Sequence, residues 1–143
     1  MKICIFGLGR IGLPIALVCA DSGYNVTGID VNLELVNKLK KGVIPFYEKG
    51  MQELLKNHLN INFNPKTQEN DIKNERPDFI GISTTTSSFS NGIRIAEIAK
   101  GIIPIIKIIF GGVHVSALKE KILKDYNVID YVVVGEGEKT LTE

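Results

Sequence analysis

The amino-acid sequence predicts an α/β fold in which helices cover both faces of a parallel β-sheet. Short apolar runs typical of buried parallel strands recur along the chain, such as KICIF at residues 2–6. Between these runs lie segments whose apolar residues are three or four positions apart, as in helices with one buried face. This alternation favours a parallel sheet, because parallel neighbours are joined by crossover connections that are usually helical.

The first half of the chain contains three predicted strands, at residues 2–6, 25–30 and 60–64. A helix is predicted over residues 10–22, since Ile11, Ile15 and Val18 have helical spacing, and Gly23 would end it. Two further helices are predicted, over residues 32–41 and 51–59.

The second half repeats the alternation. Strands are predicted within residues 78–83, 106–112 and 129–138, and helices over residues 90–102 and 116–126. The span 65–77 is polar and contains two prolines, so it is predicted to be the least structured part of the chain.

Six strands joined by right-handed crossovers predict the order 3-2-1-4-5-6. The sequence therefore predicts a doubly wound, Rossmann-like parallel sheet in a three-layer αβα arrangement. A chain of 143 residues with 44% hydrophobic residues fits one such domain.

The composition argues against several classes of partner. The net charge is +1, Lys and Arg are scattered, and there is no Trp, so neither nucleic acid nor an anionic membrane is favoured. The apolar N-terminal stretch is interrupted by Gly7, Gly9 and Gly12, which predicts a strand and turn rather than a signal peptide or membrane span. We expect a soluble, cytoplasmic protein that binds a small molecule.

No residue spacing predicts a metal site. Cys4 and Cys19 lie in apolar runs and are predicted to be buried, and His58 lies on a polar helix where it is predicted to be solvated. Glu136 and Glu138 form a pair of carboxylates, but no nucleophile accompanies them, so a catalytic role is not predicted.

The segment GLGRIG is the strongest functional motif. It has the G-x-G-x-x-G spacing, follows a predicted strand and opens a predicted helix, which is the context of a dinucleotide-binding loop. Gly7 permits a tight turn, Gly9 allows a pyrophosphate to approach, and Gly12 allows close packing of helix and strand. The predicted contacts of the loop are Gly7, Leu8, Gly9, Arg10, Ile11 and Gly12. For Arg10, a phosphate contact and a solvated surface position are both open.

Asp30 ends the second predicted strand, 18 residues after Gly12. A carboxylate there accepts hydrogen bonds from ribose hydroxyls and repels a 2′-phosphate, which favours NAD over NADP. Val31 and Asn32 follow it and complete the predicted ribose side of the site. The alternative is a loop that keeps its structure but has lost its ligand.

Residues 1–64 resemble the N-terminal part of the UDP-glucose/GDP-mannose dehydrogenase family. The resemblance rests on MKICIFGLGRIGLP and on LKKGVIPFYEKGMQELL, in which Gly42, Pro45, Glu48 and Gly50 match the family signature while Lys49 replaces its proline. It implies NAD binding. The catalytic cysteine and lysine of that family belong to later segments, so we expect no dehydrogenase activity and no catalytic residue here.

Residues 78–143 resemble the cobalamin-binding domain that precedes many radical S-adenosylmethionine enzymes. The matching segments are PDFIGIS, GGVHVS and DYVVVGEGE. The resemblance implies that loops at the carboxyl ends of strands line a ligand site, with small residues that let a flat ring approach the backbone: Ser83, Thr84, Gly111, Gly112 and Gly135. In an NAD site, the segment STTTSS, which includes Ser83, Thr84 and Thr85, would instead form the nicotinamide side. The lower-ligand histidine motif of other cobalamin proteins is absent, and His114 in GGVHVS is predicted to be a loop histidine bonded to backbone.

The two resemblances suggest a chimera, with a dehydrogenase-like half at 1–64, a junction at 65–77 and a cobalamin-domain-like half at 78–143. Our hypothesis is an engineered, non-catalytic Rossmann-like domain that keeps an NAD half-site. A cobalamin-binding module and a stable scaffold without ligand are the alternatives.

Overall fold

Six parallel strands form one sheet in the computed structural model, which describes residues 1–67, 71–118 and 121–135. The strands are β1 (Lys2–Phe6), β2 (Asn25–Ile29), β3 (Phe63–Lys66), β4 (Phe79–Ser83), β5 (Lys107–Gly111) and β6 (Tyr131–Val132). The helices are α1 (Gly12–Asp21), α2 (Leu33–Lys40), α3 (Met51–His58), α4 (Asp71–Glu75), α5 (Phe89–Ile102), α6 (Val113–Leu118) and α7 (Lys121–Asp125).

The strand order is β3-β2-β1-β4-β5-β6, which confirms the prediction. β1 lies at the centre, where Ile3 pairs with Val26 of β2 on one side and Phe79 of β4 on the other. The first half of the chain therefore adds β2 and β3 on one side of β1, and the second half adds β4, β5 and β6 on the other side. The loops after β1 and β4 meet where the direction changes.

The core has two parts, one on each face of the sheet. Alternate residues of β1 belong to different parts, since Ile3 and Ile5 pack under α1, α2 and α3, whereas Cys4 and Phe6 pack under α4 to α7. Such alternation follows from the two-residue period of a strand. It explains why the buried strand β1 has no polar position after Lys2.

The span 65–77, predicted to be the least structured part of the chain, contains parts of two regular elements. Pro65 and Lys66 complete β3, and α4 occupies Asp71–Glu75. Proline is tolerated in β3 because this strand is at the edge of the sheet. The carbonyls of Asn62 and Lys66 accept hydrogen bonds from β2. Successive residues of a strand direct their backbone polar groups to opposite sides, so the nitrogen of Pro65, next to Lys66, faces the open side of the sheet.

Other boundaries also differ from the prediction. The helix expected at 116–126 begins at Val113 as α6, and α7 follows at Lys121–Asp125. The strand expected within 129–138 is only Tyr131–Val132. Glu136 and Glu138 lie outside the described residues. None of the helices in the described ranges is both long and apolar enough to cross a membrane.

Candidate functional site

The predicted site residues meet at the carboxyl edge of the sheet, where the loops after β1, β2, β4 and β5 come together. This is the edge at which open α/β sheets bind their ligands. Two small cavities open there, one on each side of the loop at residues 7–12, and Ser83 lines both. The structure therefore brings predicted residues from both halves of the chain into one region.

The glycine loop turns sharply after β1. Gly7 has a φ of +88°, a conformation that residues with a side chain rarely adopt. A Cβ on Gly12 would lie 1.7 Å from the carbonyl oxygen of Gly7, so a side chain at position 12 cannot be accommodated. These two glycines are required by the loop itself.

Gly9 is different, because a Cβ added there would meet no atom within 4 Å. The fold alone therefore does not demand glycine at position 9. Directly beyond it, the N-terminus of α1 has no side-chain cap, since Ile11 occupies the N-cap position. The Leu13 N–H already donates to the Gly9 carbonyl and Pro14 has no N–H, so the Gly12 N–H at the first position of the helix is a donor left for an anion. The open space at Gly9 leaves room for one.

Leu8 anchors the loop. Its side chain is fully buried and packs over Gly28 of β2, and its N–H donates to Asp30 Oδ2 over 2.7 Å. The side chain of Leu8 thus supports the site from within the core. Ile11, by contrast, lines the smaller of the two cavities.

Asp30 is held at the end of β2 by two backbone donors. Besides Leu8, the N–H of Asn32 donates to Asp30 Oδ1 over 2.8 Å. Asn32 itself caps α2, because its side chain accepts the N–H of Leu35. A carboxylate has about four acceptor positions, so Asp30 keeps capacity for a ligand. Val31, beside it, is 78% exposed.

Arg10 lies over the ring of Phe46, with its guanidinium carbon 5.5 Å from the ring centroid. Such a cation–π contact restrains an exposed arginine. Phe46 belongs to the loop between α2 and α3, which Gln52 holds by donating to the carbonyl of Gly42 and accepting the N–H of Ile44. Arg10 is therefore oriented beside the glycine loop.

The loop after β4 carries a buried, unpartnered hydroxyl. Thr84 is 5% exposed, and Thr84 Oγ1 has no hydrogen-bond partner among the described residues. Its backbone N–H donates to the carbonyl of Gly111. Thr85 is exposed, and its hydroxyl lies 3.0 and 3.1 Å from those of Ser87 and Ser88.

The loop after β5 closes tightly on Thr84. Gly112 has a φ of +104°, and a Cβ there would lie 2.3 Å from the Thr84 carbonyl oxygen. Gly111 and Gly112 line the smaller cavity, of about 30 Å³. The larger cavity, of about 170 Å³, lies beside Asp30, Val31 and Thr84.

Both cysteines are buried away from this edge, Cys4 in β1 and Cys19 in α1. Burial raises the pKa of the Cys19 thiol to about 11, so at neutral pH it is an unreactive thiol. No cluster of three metal-ligating side chains occurs in the described parts of the chain.

The two histidines are not as predicted. His58 is not freely solvated, because its ring nitrogens lie 2.9 Å from Asn62 Oδ1 and 3.0 Å from Asp21 Oδ1. His114 lies in helix α6 rather than a loop, and its Nδ1 is 3.2 Å from the hydroxyl of Thr86 rather than from backbone. His58 thus joins α3 to α1, while His114 joins α6 to the loop after β4.

Phe46 and Asn91 were missed by sequence reasoning. Phe46 was assigned only to a loop, and its contact with Arg10 depends on how that loop folds back. Asn91, in the first turn of α5, lines the larger cavity. Its position just after the loop of a central strand was a signal that could have identified it.

A family model matches most of the chain. The model of the UDP-glucose/GDP-mannose dehydrogenase family, NAD binding domain, matches residues 1–109. The match passes through the predicted junction at 65–77 and ends within β5. It therefore includes the loops after β1, β2 and β4 and stops before the loop after β5.

Individual relatives match shorter parts. The UDP-N-acetyl-D-mannosamine dehydrogenase of Methanococcus maripaludis is 46% identical over 67 residues, which are 46% of this chain and 16% of that protein. An uncharacterized methyltransferase of Pyrococcus horikoshii is 40% identical over 72 residues, 50% of this chain and 16% of that protein. The chain thus spans about a sixth of the length of these curated relatives.

A solved structure supports the fold. The UDP-D-ManNAc dehydrogenase of Pyrococcus horikoshii superposes with a TM-score of 0.71 at 24% identity, over 98% of this chain and 38% of that one. At this identity the likeness shows the architecture of the sheet and its helices.

Proposed function

The chain belongs to the UDP-glucose/GDP-mannose dehydrogenase family, and on this premise we propose that it binds NAD at the carboxyl edge of its sheet. The observation that carries the proposal is the Asp30 carboxylate, fixed against the glycine loop by the Leu8 N–H. The two parts of a dinucleotide site, one for phosphate and one for ribose, are thereby coupled before any ligand arrives.

The pyrophosphate would lie against Gly9 and the uncapped N-terminus of α1. The space above Gly9 is open, and the helix N-terminus supplies the Gly12 N–H and partial positive charge. Arg10, oriented by Phe46, adds a full positive charge beside the loop. All three features favour a doubly charged diphosphate.

The adenosine ribose would bind Asp30. Two of its acceptor positions are used by Leu8 and Asn32, and the others are available to the ribose hydroxyls. The negative charge also opposes a 2′-phosphate, so we propose a preference for NAD over NADP.

The residues present suit such a ligand. The cavity beside Asp30 has a volume of about 170 Å³, and it is lined by the exposed Val31 and by Thr84. A bound nucleotide would cover the apolar surface of Val31. Ser83, at the boundary of both cavities, would face the middle of the dinucleotide.

We extend the proposal to activity: these 143 residues bind NAD without oxidising nucleotide sugars. The sequence has two cysteines, and both are buried in β1 and α1, away from the ligand edge. No thiol is therefore placed to attack a substrate there. NAD supplies hydride-transfer chemistry when it is bound, and the residues described here hold it in position.

Calorimetric titration of the chain with NAD, NADP and cobalamin tests the proposal. NAD should bind with micromolar affinity, roughly 8 kcal/mol, and more tightly than NADP. Asp30→Ala should weaken NAD binding by about 1–3 kcal/mol and reduce the preference against NADP. Absence of NAD binding, or tight cobalamin binding without NAD binding, would contradict the proposal.

A second variant separates charge from structure. Asp30→Asn keeps an acceptor oxygen for one of the two backbone donors while removing the negative charge. We expect it to fold as the unmodified chain does and to discriminate less against NADP. Unchanged NAD and NADP affinities in Asp30→Asn would show that the carboxylate does not contact the ribose.

Cobalamin is the second candidate, because the family model ends at residue 109, before GGVHVS and DYVVVGEGE. We rank it below NAD since the cavity at Gly111 and Gly112 holds only about 30 Å³. An engineered junction at 65–77 stays our hypothesis for the origin of the chain, and a genomic reading frame that encodes all 143 residues contiguously would overturn it.

A further inference from the structure

Half of one face of the sheet has no described helix over it. On the face that carries Ile3 and Ile5, the core is formed by β1, β2 and β3 together with α1, α2 and α3. Phe79 of β4 and Ile109 of β5 point to the same face but belong to neither part of the core. Helices α4 to α7 lie over the opposite face. Because parallel sheets are almost always covered on both faces, a further element is expected over this half.

The uncovered surface is an apolar groove. Two cavities, of about 310 and 30 Å³, adjoin along it. Four residues line both cavities and form the floor: Ile5, Gly81, Ile109 and Val133. The wall on one side is the flank of α1, one residue before it and two within it at helical spacing: Ile11, Ile15 and Cys19. No described residue that lines this sheet groove has a charged side chain.

The dimensions of the sheet groove fit one helix. Strands lie about 4.8 Å apart, so three neighbouring strands are about 14 Å wide, and a helix with its side chains is about 10 Å across. β4 and β5 have five residues each, a length of about 16 Å that about 11 helical residues span. Since α1 rises above the sheet on one side, a second flat sheet would not reach the floor, whereas a helix placed beside α1 would.

Helix α5 has the complementary surface. With 14 residues, it is the only described helix that is long enough to span the groove. Its outer side carries Ile98 and Ile102 one turn apart, and Ile105 follows in the next loop, with exposed fractions of 40%, 41% and 86%. These three residues are the α5 stripe. Beside them, a Cβ added to Gly101 would meet nothing within 4 Å, so a partner can approach the helix backbone closely.

We propose that the α5 stripe of one copy of this chain packs into the sheet groove of a second copy. The stripe and the groove are on opposite faces of the sheet, so a molecule does not fill its own groove. The groove has no charged side chain and the stripe is all isoleucine, so no unpaired charge is buried in the contact. The sequence outside the described residues, at 68–70, 119–120 and 136–143, has Leu141 as its only large apolar residue and thus no comparable stripe.

Such a contact is head-to-tail, because two different surfaces meet. Each added copy leaves one free groove and one free stripe at the ends, so the assembly grows with protein concentration. A contact between one helix and three strands is small, and small contacts between proteins are weak. The association is therefore expected only at high protein concentration.

Sedimentation velocity over a concentration series up to about 1 mM tests the proposal. We expect the sedimentation coefficient of the unmodified chain to rise with concentration. Ile109→Lys in the groove floor and Ile98→Lys in the α5 stripe should each sediment as monomers throughout. Ile61→Lys is the matched control, because Ile61 is 75% exposed and belongs to neither surface, and it should associate as the unmodified chain does.

An equimolar mixture of the two monomeric variants identifies the contact as head-to-tail. Ile98→Lys keeps an intact groove and Ile109→Lys keeps an intact stripe, so the mixture should form one-to-one dimers and nothing larger. If two grooves packed symmetrically against each other instead, Ile98→Lys alone would still dimerise. That result, a mixture that stays monomeric, or an unmodified chain that is monomeric at every concentration would overturn the proposal.

Circular dichroism and thermal unfolding show whether each variant is folded. Ile109 is half-buried, so Tyr131→Glu serves as a second groove variant at a rim position that is 51% exposed. It should be folded and monomeric, and it should also form dimers with Ile98→Lys no more than either variant does alone. Full association of a folded groove variant would overturn the assignment of the groove.

Discussion

At the scale of single residues, the three glycines of GLGRIG have different roles. Gly12 is required by packing, because a Cβ would lie 1.7 Å from the Gly7 carbonyl oxygen. Gly7 is required by its backbone conformation, with φ at +88°. Gly9 satisfies neither criterion in the free protein, so a ligand is the best reason for glycine at that position.

Gly9→Ala therefore separates folding from binding. The methyl group enters open space, so the free energy of unfolding should stay the same or rise slightly, since alanine has less conformational freedom in the unfolded chain. The methyl group would occupy the place of the pyrophosphate, so NAD affinity should fall at least tenfold, about 1.4 kcal/mol. Chemical denaturation and calorimetry measure the two effects.

Gly101→Ala is the matched control, because a Cβ at Gly101 also meets nothing within 4 Å, yet this residue lies at the far end of α5. It should leave NAD affinity unchanged. Full NAD affinity in Gly9→Ala would place the pyrophosphate elsewhere.

The site was predictable where its residues directly follow strands. GLGRIG and Asp30 are next to β1 and β2 in the chain, so their spacing predicted their position at one edge. The stack of Arg10 on Phe46 and the burial of Thr84 were not predictable, because they depend on how distant loops fold against each other.

At the scale of elements, Asp130 connects α5, β5 and β6 near the amino ends of the two strands. Its Oδ2 accepts the N–H of Ile108 in β5 over 2.9 Å and lies 2.8 Å from Lys100 Nζ in α5. Its own N–H donates to the carbonyl of Ile108, so it also leads directly into β6. With β6 only two residues long, this residue is a main support of the last strand.

Asp130→Asn should destabilise the protein at neutral pH by about 1–3 kcal/mol, the cost of a lost hydrogen bond between charged groups. Burial alone would raise the pKa of Asp130, but the Lys100 hydrogen bond, the Ile108 N–H and the lysine charges lower it below its usual value. Stability from this group is thus fully present above the unfolded-state pKa and is lost as the pH falls through the lower folded-state value.

Urea denaturation between pH 7 and pH 2 measures this effect. The variant should lose less stability in acid than the unmodified chain, because one lowered carboxyl pKa has been removed. Glu34→Gln is the control, since its pair with Lys38 is exposed on one helix and should contribute little. Equal stability of Asp130→Asn and the unmodified chain at pH 7 would contradict the assigned role.

The order of the elements was predictable, but some of their limits were not. Apolar runs and helical spacing sufficed for six strands in the correct order. Pro65 predicted an irregular segment, yet the edge position of β3 leaves its nitrogen free of the ladder. Whether a strand is at an edge is a property of the whole sheet, and a local pattern does not contain it.

At the scale of the whole molecule, the candidate site depends on both halves of the chain. Gly7 and Asp30 come from the first half, while Ser83, Thr84 and Asn91 come from the second, and they line one cavity. The pairing of β1 with β4 brings the two sets together. The candidate site therefore requires that β1 and β4 pair within one sheet, whatever the origin of the segment at 65–77.

At this scale we also expect NAD to bind without turnover of nucleotide sugars. The chain spans 16% of the length of the Methanococcus maripaludis UDP-N-acetyl-D-mannosamine dehydrogenase, and its two thiols are buried away from the ligand edge. We therefore expect no NADH to form with UDP-glucose, UDP-N-acetylmannosamine or GDP-mannose. NAD should nevertheless raise the unfolding temperature, because a ligand that binds only the folded state stabilises it. Absorbance and thermal unfolding measured on the same sample test both expectations. NADH formed with any of these sugars, and lost in Asp30→Ala, would show that this chain is itself a dehydrogenase.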